Sequence, residues 1–229
     1  MTHYHHQEKS GTASALREIV FGIEDGMVST LGAVTGIAIG TQDHFTVILS
    51  GVVIIAVESV SMGIGSYLSN QSEQEVHARL LKEEEEEIAH FPEEEKTEMQ
   101  QLFMREGWPK DFAQQMSEIA SQNKSLMLKE MAYHEHGLNP QPTVSAVANG
   151  AKMFFSYIIG GLLPLFTYFF LTVTQAMPIS IGITLVGLFL LGAYTTKYTH
   201  APWIRSGVRM LILGGIALSI GLIVGKIAA

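Results

Sequence analysis

The chain has 229 residues, no cysteine, only 16 % charged residues, a mean hydropathy of +0.24 and a formal net charge of −8. A soluble domain of this size carries about a quarter charged residues, so a wholly water-facing fold is disfavoured. The missing cysteines exclude disulfides and thiolate metal sites. The charge is also uneven: 16 of the 22 acidic residues lie between Asn70 and Pro140, against 7 of the 14 basic ones. The sequence predicts an all-α polytopic membrane protein with one acidic, water-exposed insert.

In chain order, residues 1–16 form an N-terminal tail whose His3, His5 and His6 bind metal loosely at most. The start lacks the charged-then-apolar pattern of a cleaved signal, so the first span is expected to stay as an anchor. A bilayer core needs roughly 20 apolar residues of helix. Five stretches qualify: Glu18–Gly40, Phe45–Leu68, Val147–Thr172, Met177–Tyr194 and Val208–Gly225. The first two fall within residues 17–69, the insert occupies 70–140, and the last three fall within 141–229. Short links around Gln42-Asp43-His44 and Gln175–Pro178 reverse the chain on one side, and Thr195–Gly207 on the other. Pro202 is expected to end any helix that enters this last link.

Lysine and arginine set the orientation, because short cytoplasmic flanks are enriched in them. With the N-terminus in the cytoplasm, Lys9, Arg17, Lys152, Lys197, Arg205 and Arg209 all fall on that side. The acidic insert is then cytoplasmic too, and the C-terminus lies outside.

Three carboxylates sit where they are expensive. Glu24 and Asp25 lie in the first span and Glu58 in the second; in hydrocarbon such groups cost several kcal/mol unless paired, protonated, hydrated or bound to an ion. Glu24 and Asp25 follow Arg17 by only about two turns, so an interfacial position is the plain alternative for them. Glu58 is deeper, and Met62, four residues on, shares its helix face. A lone methionine usually packs; beside a carboxylate it becomes a candidate ligand. The first span also repeats glycine at Gly22/Gly26 and Gly32/Gly36/Gly40, a pattern that lets helices approach closely, within the chain or in a homodimer.

The insert reads as short helices. Ser72–His90 lacks glycine and proline, Pro92 with Glu93-Glu94-Glu95 suits a helix start, Pro109 with Asp111 opens another helix, and the last runs from Lys124 to about His136 before Gly137. The run Glu83–Glu87 is, in the plain reading, a solvated helix face. Glu84/Glu87 and Glu95/Glu98 are i, i+3 pairs, however, and Met131/Glu135 an i, i+4 pair. Packed together, they would offer several carboxylates and one thioether. Carboxylates suit Ca²⁺, Mg²⁺ or Mn²⁺, while sulfur tilts a site towards Fe²⁺. Glu87-Ile-Ala-His90 is a Glu-x-x-His sequence of the kind used by ferritin-like di-iron bundles. A membrane-anchored ferroxidase or iron-binding protein is therefore the alternative, although no second such motif is present.

Gly22-Ile-Glu-Asp25-Gly26-Met-Val-Ser-Thr and Ser61-Met62-Gly63-Ile-Gly65-Ser-Tyr67-Leu68-Ser69 resemble the vacuolar iron transporter family. So do the Glu-rich insert, Met131-Ala-Tyr-His-Glu135-His-Gly137-Leu138, Gly160-Gly161-Leu-Leu-Pro164-Leu and Trp203-Ile-Arg205-Ser206. The resemblance covers nearly the whole chain in order. It implies a homodimer with five spans per subunit, a cytoplasmic three-helix metal-binding domain inserted between spans two and three, and exchange of Fe²⁺ or related ions (Mn²⁺, Zn²⁺, Co²⁺, Ni²⁺) for protons. No enzymatic activity, cofactor or nucleic-acid partner is implied. The host membrane would be the plasma membrane in a prokaryote and a vacuolar-type membrane in a eukaryote.

Position by position, Asp25 and Met62 match the family's ion path, and Glu84, Glu87, Glu95, Glu98, Met131 and Glu135 match its cytoplasmic ligands. Two features depart from the pattern: Ala132 follows Met131 where a second methionine is common, and Glu24 and Glu58 stand where small or neutral residues are expected. The expected path is therefore Asp25, Glu58, Met62 and Glu24. In it, protons and metal compete for the same carboxylates, since a desolvated carboxylate with no cation nearby has a raised pKa.

Overall fold

Helices account for all regular structure among the residues described by the computed structural model, 10–138 and 145–229, with the side chains of 10–14 excepted. His3, His5 and His6 and the expected insert boundary near residue 140 lie outside them. The chain divides into two units, Met1–Leu68 with Val144–Ala229, and Ser69–Thr143.

The first unit contains α1 (Ser10–Thr41), the opening half of α2 (His44–His90), α6 (Ala146–Phe166), α7 (Val173–Thr199) and α8 (Trp203–Ala228); α3 to α5 belong to the second unit. Asp43 caps α2, its Oδ2 accepting hydrogen bonds from Thr46 N at 2.8 Å and Thr46 Oγ1 at 2.6 Å. Ser145 caps α6 by accepting from the Ala148 amide. Four described helices, α2, α6 with the 3-10 turn Thr167–Phe169, α7 and α8, are long and apolar enough to cross a membrane. The 32-residue α1 is not among them: Glu18, Glu24 and Asp25 lower its apolarity.

Several boundaries differ from the sequence expectation: α1 already begins at Ser10, within the expected tail 1–16, and α5 ends at His134, before His136. The second span and the first insert helix are one helix, because no glycine or proline interrupts residues 66–90. The link expected at Gln175–Pro178 lies inside α7, which starts at Val173. Pro178 stands in its second turn, where it removes one N–H from the ladder without ending the helix. The turn comes earlier, at Phe170–Thr172.

The glycine repeat of α1 packs within the chain. Gly22 and Gly26 lie against α6, where a Cβ on Gly26 would meet the Tyr157 carbonyl; Gly32 and Gly36 lie against the Ala217 and Gly221 carbonyls of α8. Of the two kinds of partner the repeat allowed, the chain's own helices α6 and α8 account for these close approaches. Below them Val34, Ala38, Val47, Ile55, Leu165, Tyr168, Val173 and Ala176 form the apolar core. Large apolar side chains such as Val53, Val57, Phe155, Val186 and Ile216 are exposed, as lipid-facing helices require.

The second unit holds the distal half of α2, α3 (Pro92–Arg105), α4 (Lys110–Ser121) and α5 (Lys124–His134). Asn123 caps α5, its side chain accepting from the Ser125 and Leu126 amides. The core is small and rich in sulfur: Ile88, Met99, Phe103, Ala113, Ala120, Met127 and Met131.

Candidate functional site

Each unit carries a carboxylate constellation. In the first, Asp25 of α1 is half-buried and interacts electrostatically with Glu58 of α2, which is exposed on the helix surface. Met62, half-buried, lies one turn beyond Glu58. Tyr157 of α6, fully buried, bonds through its hydroxyl to Ser29 Oγ at 2.6 Å and lies within electrostatic reach of both Asp25 and Glu58. Ser29 is one helical turn after Asp25, so two hydroxyls sit beside the carboxylate pair.

Glu24 points elsewhere. With Arg209, Thr195, Thr199 and Ser206 it lines a separate cavity of about 390 Å³, and Arg209 and Asp25 are charges that act on it. Sequence reasoning missed Glu18, which is 3 % exposed. Its Oε1 accepts from Arg17 Nη2 at 3.0 Å and its Oε2 from Ser66 Oγ at 2.7 Å. The available signal was a glutamate directly after arginine at the mouth of a span.

In the second unit the glutamate run splits between two faces of α2. Glu83, Glu85 and Glu86 face Arg79, Lys124 and Lys82 at 3.5–3.7 Å on the outside. Glu84 turns inward and is 0 % exposed. Carboxylate oxygens of Glu84, Glu87 and Glu95 lie within 4.8 Å of one another; so do ligand atoms of Glu84, Glu135 and His136. Neither Glu84 oxygen has a hydrogen-bond partner, nor does Glu95 Oε2.

Burial, followed by the neighbouring Glu135, Glu95 and Glu87, pushes the Glu84 carboxyl up to about 8. Burial, then Glu87, Glu98 and Glu135, also raises Glu95. A buried carboxylate without a donor, ringed by like charges, needs a proton or a cation, and convergent carboxylates are what a hard divalent ion binds.

The structure thus brings together Glu84, Glu87, Glu95 and Glu135 of the expected set. Glu98 acts on Glu95 from an exposed position, lining a surface groove with Glu93 and Glu94. Met131 is fully buried in the apolar core. His90, which suggested a di-iron motif, is exposed with its Nδ1 against the Glu86 carbonyl, and it is outside both groups. The residue that sequence reasoning overlooked is His136.

Taken together, this is an α-helical integral membrane protein with an acidic cluster suited to divalent cations. The chain belongs to the VIT family, whose model matches residues 16–226. It is 30 % identical over 219 residues to "Vacuolar iron transporter 1" of Oryza sativa subsp. japonica, covering 94 % of this chain and 86 % of that one. It is 28 % identical to the protein of the same name from Arabidopsis thaliana, covering 97 % and 90 %. To "Vacuolar iron transporter" of Plasmodium falciparum it is also 28 % identical, over 98 % of this chain and 88 % of that protein.

Proposed function

We propose that this protein carries divalent metal ions, Fe²⁺ foremost, out of the cytosol in exchange for protons. The observation that carries the reading is the Asp25–Glu58 pair, two carboxylates held within electrostatic reach of each other on helices with apolar surroundings. Such a pair favours either a proton or a cation between its members, and alternation between the two is exchange. Met62 adds a thioether that favours Fe²⁺ over harder ions.

In this reading α1 is the fifth span, and its close packing against α6 and α8 supports that role. Glu58 is exposed among Val57, Val60 and Ile64; a charge on an apolar membrane surface calls for a covering protein surface, which supports a homodimer with the path along the subunit contact. The basic flanks support a cytoplasmic N-terminus and acidic unit. That unit collects the ion at Glu84, Glu87, Glu95, Glu98, Met131 and Glu135 and raises its concentration for the path, while Glu24 supplies a further carboxylate near the membrane mouth. The relatives' names, vacuolar iron transporters, support iron as the cargo.

The test is proton movement across sealed liposomes containing the purified protein, without oxygen. An Fe²⁺ gradient is expected to drive protons the opposite way, and Mn²⁺ to do so more weakly. Fe²⁺ entry without any proton movement removes exchange from the account.

A further inference from the structure

The acidic unit offers one donor at its buried centre that is not a carboxylate. His136 Nε2 lies 3.3 Å from Glu84 Oε2, and a Glu135 oxygen falls in the same 4.8 Å group. We propose that His136 is a metal ligand which, with Glu84 and Glu135, forms a mixed nitrogen–oxygen position selective for borderline first-row ions. This rests on reading the acidic unit as a metal-collecting site.

Three observations carry the assignment. Glu84 is fully buried and neither oxygen is hydrogen-bonded, while His136 Nε2 stands 3.3 Å from Oε2, so carboxylate and imidazole are placed to share a cation. His136 is delivered there by a fixed turn. Gly137 adopts a left-handed φ of +65, which glycine tolerates freely. The Leu138 amide then donates to the Ala132 carbonyl at 2.8 Å, and Leu138 is itself buried. The neighbouring histidine cannot substitute, because His134 has Glu106 at Nδ1 and Glu130 at Nε2.

The chemistry separates the two groups that share Glu84. Glu84, Glu87 and Glu95 present oxygen only, which suits Mg²⁺, Ca²⁺ and Mn²⁺. Adding one imidazole nitrogen favours Zn²⁺, Co²⁺ and Fe²⁺. His136 therefore shifts towards borderline ions a region whose glutamates alone suit hard ones. The competing role is a plain imidazolium–carboxylate ion pair, which would stabilise the metal-free protein and be indifferent to the identity of the ion.

The experiment uses the full chain in detergent with His3, His5 and His6 replaced by Ala, titrated separately with Zn²⁺ and Mn²⁺. Loss of an outer-shell partner already weakens metal binding by about tenfold or more, and a direct ligand is expected to cost no less. His136→Ala and the bulkier His136→Gln should both weaken Zn²⁺ by at least that factor while leaving Mn²⁺ nearly unchanged. Pulsed EPR of the Cu²⁺-loaded protein should show remote-nitrogen modulation from a bound imidazole, absent in both variants. Equal effects on Zn²⁺ and Mn²⁺, or unaltered modulation, overturn the assignment while Glu84→Gln still weakens both ions. If Glu84→Gln leaves both affinities intact, the collecting-site reading fails first and takes the ligand with it.

Discussion

In the acidic unit three carboxylates, Glu87, Glu95 and Glu135, crowd around the buried Glu84, whereas in the membrane unit the buried and half-buried carboxylates are spread among different neighbours. Glu18 accepts from Arg17 and Ser66, Glu24 has Arg209, and Asp25 has Glu58 with the Tyr157–Ser29 hydroxyl pair close by. In the proposed topology water surrounds the acidic unit, so mutual repulsion there is moderated by solvent and by the outer ion pairs of Glu83, Glu85 and Glu86. Hydrocarbon gives no such help, and a cluster like that of Glu84 could not be placed among the spans without a permanent counter-ion. Under the proposed function the difference divides the work: the crowded site holds ions, and the sparse one passes them on.

The sharpest way to break this comparison is Asp25→Asn. It keeps shape and removes the charge, and metal-driven proton flux in liposomes is expected to fall to background with the protein still folded. Near-normal flux would take Asp25 out of the path. Next in size is the joint replacement of Glu84, Glu87, Glu95 and Glu98 by Gln. Metal binding to the full chain, measured by titration calorimetry, should weaken by about a hundredfold, a loss of roughly 2.7 kcal/mol. Flux at low metal should drop without vanishing. Unchanged affinity would return these glutamates to the role of a solvated face.

The comparison can also be sharpened by pH. Glu84 titrates near 8 in the folded protein against an ordinary value of 4.5, so between those values the folded state binds more protons than the unfolded one. The metal-free acidic unit should therefore lose stability as pH rises from about 4.5 to 8 and level off beyond. Metal binding should tighten over the same window, because the ion displaces that proton. Hydrogen exchange at Met127–Ala132 of α5, with and without Mn²⁺, reads both trends; protection that is flat with pH contradicts the origin assigned to them.

The smallest effect expected is that of Met62→Leu, close in volume and without a donor. It should slow Fe²⁺ uptake into anaerobic proteoliposomes several-fold more than Mn²⁺ uptake. Equal slowing would mean that the thioether only packs.

Much of the helical order was legible because apolar runs and Glu-rich runs have different solvents written into them. The i, i+3 spacing picked out Glu84/Glu87 and Glu95/Glu98 as pairs, but not that only Glu84 and Glu95 of them are buried while Glu87 and Glu98 stay exposed. His136 could not be read at all, since it lies beyond the last turn of α5, between the C-cap Glu135 and the left-handed Gly137, where no helical periodicity applies. Glu18 was hidden by its position at a span boundary, where a charge normally needs no explanation. The glycine repeat was legible as close packing but not as to its partner, because small-residue spacing carries no information about which helix answers it. Continuity of α2 was missed because two solvents suggested two elements, although nothing in Ser66–His90 breaks a helix.

The division of labour between the two units is tested most directly by measuring proton flux against Fe²⁺ concentration for the wild type, Asp25→Asn and the joint Glu84, Glu87, Glu95 and Glu98 variant. The account predicts that the joint variant needs more Fe²⁺ for half-maximal flux yet reaches the wild-type maximum, while Asp25→Asn stays at background at every concentration. A joint variant whose maximum remains depressed at saturating Fe²⁺ would contradict it, for the acidic unit would then be part of the transport step itself.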